Sequence, residues 1–507
     1  MGRNGFRRTL RRFAALLGAA IVLTPAVAHA KWLKAESPHF IVYSDGAEDD
    51  LREQMLELEE FHAVLRQYHM LKSDNVPLRK FEIYLVGRTT TLQRIAPHLG
   101  QSVQGFYAAG TEDTFAVAVR TKNDNTGRQF LFHEYTHHFM MQYFPYPYPS
   151  WLVEGWAEYF MTVEPGVKEI TVGEPSDLRA MSFQWIPMED LVGKHHGQLK
   201  NDDSVHFYGQ AWLLTHYMLS DDTRQKQLIR YMNMIGQGAG SLKAFEEATG
   251  MTMTAAARAL RDYASKPLPY RKWTRRPRTD MSITVTALGP SADDLLLEGQ
   301  RMKRGVAEDD RPGFLQTIRA RAAKHPGDRL AELTLAHTEI SIGDRARGEA
   351  ILSRMLAANP DDVDALLLMA ESRLGAVEDD TAPAVKLELY REARRYAAKA
   401  AKLDQNRYQA FYTYALTRSL EANYPTNNDL EAVRTAYVLA PQVTAVRMAA
   451  AQALMRRGEY EEVVAVVAPF ANSPHGGEAA KAARAMLEEA RAKLSQAPAA
   501  PAAAPAG

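Results

Sequence analysis

The sequence predicts an α+β domain followed by an all-α solenoid of stacked helix pairs. Three observations predict it. Short β-branched and aromatic runs come first, long segments of helical period follow, and prolines recur at a near-constant interval in the second half. At 507 residues the chain exceeds one ordinary domain.

The elements follow in order. Arg3, Arg7, Arg8, Arg11 and Arg12 precede the apolar run Ala14 to Leu23, and Ala28-His29-Ala30 is a small-x-small cleavage site. Residues 1–30 therefore read as a signal peptide, with Lys31 opening the mature chain in the periplasm or outside the cell. The paired arginines leave the twin-arginine route open beside general secretion. No later apolar run has the length of a bilayer-spanning helix, so no integral membrane segment is expected after cleavage. Lys plus Arg and Asp plus Glu both number 61, which gives no electrostatic reason to expect a nucleic-acid partner. Cysteine is absent, so cores rather than disulfides hold the fold, and a metal site must use His, Asp and Glu.

Phe40-Ile41-Val42-Tyr43-Ser44, Phe81 to Val86 and Phe115 to Val119 read as strands. Asp49 to Leu71 has apolar residues at helical spacing, and a helical piece is expected at Thr91 to Leu99. A polar turn, Lys122 to Gly127, opens a helix from about Arg128 to Tyr143, which Pro145, Pro147 and Pro149 end. Ser150 is the expected N-cap of the next helix, Trp151 to Met161. Helices return at Val205 to Leu219, Arg224 to Ile235, Leu242 to Ala248 and Thr254 to Ala264. The basic, proline-bearing stretch Lys266 to Arg278 marks a boundary. Residues 31–270 are read as one domain, 271–290 as a linker, 291–494 as helical repeats and 495–507 as a disordered Ala/Pro tail. Within the repeats, His325-Pro326-Gly327-Asp328 returns as Asn359-Pro360-Asp361-Asp362, and Pro441 precedes Pro474 by nearly the same interval. A longer helix around Val385 to Lys402 interrupts the pattern. In period and turn this region resembles tetratricopeptide repeats.

His133-Glu134-Tyr135-Thr136-His137 carries the chemistry. Residues four apart share a helix face, so both imidazoles reach one ion while Glu134 stands beside it. Apolar residues around much of this helix predict burial, where two histidines need a partner. In Trp151 to Tyr159, Glu154 and Glu158 lie one turn apart among large apolar residues. Glu154 is the expected third ligand. Glu158 is the expected hydrogen-bond acceptor for the far nitrogen of a ligating histidine. His195-His196 reads as an exposed loop, and Lys122 to Asn125 as a solvated turn.

This combination resembles the gluzincin zinc peptidases and is most similar to their bacterial peptidase-MA-like members, over about Phe40 to Ala264. The resemblance implies a zincin-like α+β domain holding one Zn²⁺ per chain through His133, His137 and Glu154. It implies that Glu134 deprotonates the attacking water, and that Tyr208, in Phe207-Tyr208-Gly209-Gln210-Ala211, stabilises the oxyanion, with His206 as its rival. Thr114 to Val119 is either an edge strand for an extended substrate or an ordinary core strand. The Gly-x-Met-Glu-Asn segment of the related aminopeptidases is missing before His133, which favours endopeptidase cleavage of a peptide or protein substrate. The repeats would then bind substrate or a protein partner. The alternative is a catalytically silent envelope scaffold whose repeats are the functional part.

Overall fold

A computed structural model describes residues 32–71, 79–101, 103–120, 126–165, 169–175, 184–274, 281–471 and 477–496. The signal peptide, the turn residues 122–125, Pro474 and the tail from 497 lie outside the described residues.

Six short strands form one mixed sheet. They are β1 (Leu33–Glu36), β2 (Phe40–Ser44), β3 (Phe81–Val86), β4 (Gly105–Ala109), β5 (Thr114–Val119) and β9 (Thr284–Ala287), in the order β4-β5-β3-β2-β1-β9. The central neighbours β2, β3 and β5 run parallel, and β4, β1 and β9 pair antiparallel at the two ends. Parallel pairing of β2 with β3 requires a crossover, and helix α1 (Glu48–Tyr68) supplies it. Side chains alternate across the pleat. Phe40, Val42, Ile83 and Leu85 join Leu51, Met55, Leu58 and Phe61 of α1 in the main core. Tyr84, Phe115 and Val117 point to the other face, which has its own apolar cluster.

In place of the expected Thr91–Leu99 piece, the helical segment α2 spans only Thr89–Leu92 before breaking into turns. Then come α3 (Thr126–Tyr143) and α4 (Ser150–Met161). Ser150 is not the N-cap. Pro149 holds that position, and the Ser150 hydroxyl instead accepts the His196 backbone N–H at 3.3 Å. Strands β6 (Glu164–Pro165), β7 (Glu169–Val172) and β8 (Arg271–Thr274) make a second, three-stranded sheet. Five helices close this part: α5 (Met188–Gly193), α6 (Asn201–Leu219), α7 (Asp222–Gly236), α8 (Ser241–Thr249) and α9 (Met253–Ala264).

The expected linker 271–290 is corrected. Its two ends are strands: β8 pairs with β7, and β9 pairs with β1 along Leu33 to Glu36. The alternating β-branched run Thr284-Val285-Thr286 suits a strand, but only a partner 250 residues upstream in sequence makes it one. Helix α10 (Ser291–Arg304) then packs Ala292, Leu296 and Leu297 onto Trp32, Tyr84 and Phe115, so the first helix after the sheet shares its core.

The rest is helix after helix: α11 (Arg311–Ala322), α12 (Arg329–Ile342), α13 (Arg345–Ala358), α14 (Val363–Gly375), α15 (Pro383–Leu403), α16 (Tyr408–Arg418), α17 (Asn427–Leu439), α18 (Thr444–Arg457), α19 (Tyr460–Ala471) and α20 (Gly477–Gln496). Residues 495 and 496 thus belong to the last helix and not to the tail. The matching turns share their chemistry. Asp328 accepts the Ala331 N–H and Asp362 the Ala365 N–H, each at a helix N-cap. Arg329 then grips Asp362 with two bonds of 2.7 Å, tying one turn to the next. The helices curl back onto the sheet. Tyr408 Oη donates to the Gly110 carbonyl at 2.5 Å, Gln409 Nε2 to Glu112 at 2.8 Å, and Gln142 Nε2 to Val438 at 3.1 Å.

Candidate metal centre

Helix α3 has two characters. Phe132, Tyr135 and Phe139 fall on the side that meets α1, where Phe132 stacks on Phe61 at 4.0 Å and Tyr135 Oη meets His62 Nδ1 at 2.5 Å. Burying an aromatic so completely makes Phe132→Ala cost about 3–5 kcal/mol. That anchorage fixes the rotation of the helix and turns His133 and His137 toward α4.

Helix α4 reaches them because it lies unusually close to α6. A Cβ on Gly155 would fall on the Ala211 carbonyl and the Thr215 hydroxyl. Only glycine permits that approach. Its neighbour Glu154 is thereby carried to α3.

The resulting geometry is compact. His133 Nε2 and His137 Nε2 are 3.0 Å apart, and Glu154 Oε2 is 3.4 and 3.5 Å from them. Ligands about 2.0–2.1 Å from zinc in a tetrahedron lie about 3.3 Å from each other. Two imidazole nitrogens and one carboxylate oxygen at that mutual spacing fit the ion in donor type and in distance. Among the described residues this is the one cluster of three such ligands. Glu158, fully buried, places Oε1 3.3 Å from His133 Nδ1, on the far side of that ring.

The histidines and carboxylates hold one another's charge. Burial alone would lower the His133 pKa, but Glu154 and Glu158 overcome it and push it up to about 10. Burial would raise Glu154, yet His137 and His133 hold it well below the usual carboxylate range. Glu134 is 8% exposed, and burial raises its pKa against the pull of both histidines. Its carboxylate lies under β4, where a Cβ on Gly105 would sit 3.3 Å from Glu134 Oε1.

Tyr208 of α6 stands nearby, its ring 6.4 Å from that of His133. Tyr208, Ala211 and Thr215 share the helix face turned to α4, and His206, two residues earlier, lies about 200° around the helix. Among the described residues no contact joins His206 to the cluster, and its Nδ1 is buried without a hydrogen-bond partner. Of the two readings of Thr114–Val119 the structure has the core strand: β5 is buried throughout and flanked by β3 and β4, and the terminal strand is β4. One expectation is corrected. His196 is not a loop histidine in solvent. It sits 3.7 Å from Glu154 Oε1, with its ring 5.8 Å from that of Tyr208 and its backbone tied to Ser150. Composition around His195-His196 hides this, because the tie bridges 46 positions of sequence.

No protein-family model matches the chain, and no protein of curated function matches it. Among solved structures, it is similar to a thermophilic TPR protein from Thermus thermophilus at 15% identity and a TM-score of 0.33. The match covers 39% of this chain and 99% of that one. A likeness of that size decides nothing about the site.

Proposed function

We propose that this protein is an exported zinc-dependent peptidase that cleaves within unfolded chains. The observation that carries the reading is the convergence of His133 Nε2, His137 Nε2 and Glu154 Oε2 at 3.0–3.5 Å, with a buried carboxylate beside them. Bound there, zinc would supply a Lewis acid at neutral pH. Glu134 takes the proton from the attacking water and returns it to the leaving amine. Glu158 holds the His133 ring in one orientation. Tyr208, whose ring lies 6.4 Å from that of His133, is the phenol that would donate to the developing oxyanion. Strand β4, terminal in the sheet and pressed against Glu134, offers an extended substrate its outer backbone. The leader sequence supports export, to the periplasm or beyond.

The test is zinc content and cleavage of an unfolded protein substrate, for the wild type and Glu134→Ala. Both should hold about one zinc, and the variant should lose about 10²–10⁴-fold in rate. A wild type that holds zinc and cleaves nothing across a broad peptide library would instead favour the scaffold reading, with the helical repeats as the working part.

A further inference from the structure

Strand β4 pairs on one side only, with β5. A five-residue terminal strand has few contacts of its own, and such elements open locally at low cost. Its placement matters at the metal centre. Gly105 lies so close to Glu134 that a Cβ there would sit 3.3 Å from both Cγ and Oε1 of that side chain. Tyr107 follows two residues later, on the same side of the pleat. It packs against the main core, whereas Phe106 and Ala108 join the cluster on the opposite face.

Tyr107 joins β4 to α3. Its Oη lies 3.4 Å from Nδ1 of His138, the residue after His137. Both rings pack on Phe81, that of Tyr107 at 5.9 Å and that of His138 at 3.9 Å. The phenol has a second partner from the repeats, the side-chain amide of Gln442 in the turn before α18. Gln442 Oε1 is buried without a partner, so the amide nitrogen makes that bond.

The same segment holds α3 as well. Gln142 Nε2, in the last turn of α3, donates to the Val438 carbonyl at 3.1 Å. Val438 to Gln442 is thus bonded both to the helix that carries Glu134 and to the strand that covers it. Tyr408 and Gln409 add a hold on the turn after β4, through the carbonyls of Gly110 and Glu112. That hold is on backbone, so it does not run through the Asp113 charge.

We propose that Gln442 and Tyr107 are positioning residues that set the height of β4 above Glu134, which makes the end of α17 and the turn after it a brace of the metal centre. The inference rests on the peptidase reading for its effect on rate, and on the geometry alone for its effect on β4. An extended substrate paired with the outer edge of β4 would move with that strand. A misplacement of about 1 Å between a bound substrate and a catalytic group can cost about 10²-fold in rate. The three metal-binding side chains lie on α3 and α4, so zinc affinity should not follow β4.

The test uses the full-length protein. Tyr107→Phe removes one hydroxyl, and Gln442→Leu removes the amide at similar volume. Each should bind zinc with the wild-type affinity, while kcat falls about tenfold or more and KM changes less than about threefold. Because Gln442 acts through Tyr107, the double variant should lose no more than the worse single one. Leu487→Ala, in the buried core of the last helix pair, should lower the melting temperature and leave kcat unchanged. Hydrogen exchange of the Gly105–Ala109 amides should be about tenfold faster in Gln442→Leu. The inference is overturned if Gln442→Leu keeps the wild-type kcat, if the two losses add in full, or if Leu487→Ala loses kcat as Gln442→Leu does. A wild type that cleaves nothing sinks the peptidase reading instead. Exchange then decides the brace alone, and unchanged exchange in Gln442→Leu overturns it.

Discussion

On one face of the six-stranded sheet, α3 and α4 crowd His133, His137, Glu154 and Glu158 together, and among the described residues no Arg or Lys is paired with them. On the other face, Asp113 is as deeply buried but lies between Arg79 and Lys303, each at 2.7 Å. Both places hold charge out of water, where an unpaired ion is expensive. The second place satisfies its charge internally and joins the hairpin between β4 and β5 to α10. The first sets carboxylates only against histidines, Glu154 against His133 and His137 and Glu158 against His133. The difference separates polar groups that join elements of the fold from the groups to which the proposed function assigns chemistry, although burial alone makes them look alike.

The largest break in that comparison should come from Glu154→Gln. It should abolish stoichiometric zinc binding and all cleavage, measured by metal analysis and peptide assay, and leave the interface around Asp113 intact. Asp113→Ala should do the reverse. Removing one member of a buried pair costs about 3–5 kcal/mol. Chemical denaturation should show that loss while zinc stays bound. Gly155→Ala should cost about 1–3 kcal/mol by overpacking α4 against α6. It should also weaken zinc, because it pushes Glu154 away, and a metal titration of the folded variant separates the two effects.

The smallest effects concern pH. For Asp113, burial raises the pKa but Arg79 and Lys303 hold it well below its ordinary value. Its stabilisation is therefore complete above the unfolded value near 3.9 and fades as the pH falls through the folded one. Melts below about pH 4 should lose less in Asp113→Asn than in the wild type. Glu371 has the opposite sign. Burial raises its folded pKa to about 7, above the ordinary 4.5, so stability falls as the pH rises across that interval. The slope of melting temperature against pH should be shallower there in Glu371→Gln.

How much of this the sequence displays follows from how local each cause is. Strands Phe40–Ser44 and Phe81–Val86 match their apolar runs residue for residue. The pairing of His133 with His137 is legible because one helical turn decides it. Glu154 is legible because two adjacent helices joined by a proline-rich turn return on each other. His196 is not, since its place depends on a bond to Ser150. The importance of Gly155 depends on α6, more than 50 residues on. β1 and β9 are four residues each, too short to show a period, and become strands only against each other and β2. The Asp113–Lys303 pair crosses 190 positions, and no local pattern announces it.

The pairing of β9 with β1 also bears on biosynthesis. β1 lies near the amino-terminal end of the sheet, and its outer partner emerges only after some 250 further residues have been made. Until then β1 presents a bare backbone edge, the kind of edge that templates pairing between separate chains. A fragment cut at the apparent boundary near residue 270 would keep that edge permanently and should aggregate, whereas one extended through α10 should stay in solution. The chain therefore passes through a vulnerable interval during synthesis, and β9 is the strand that ends it.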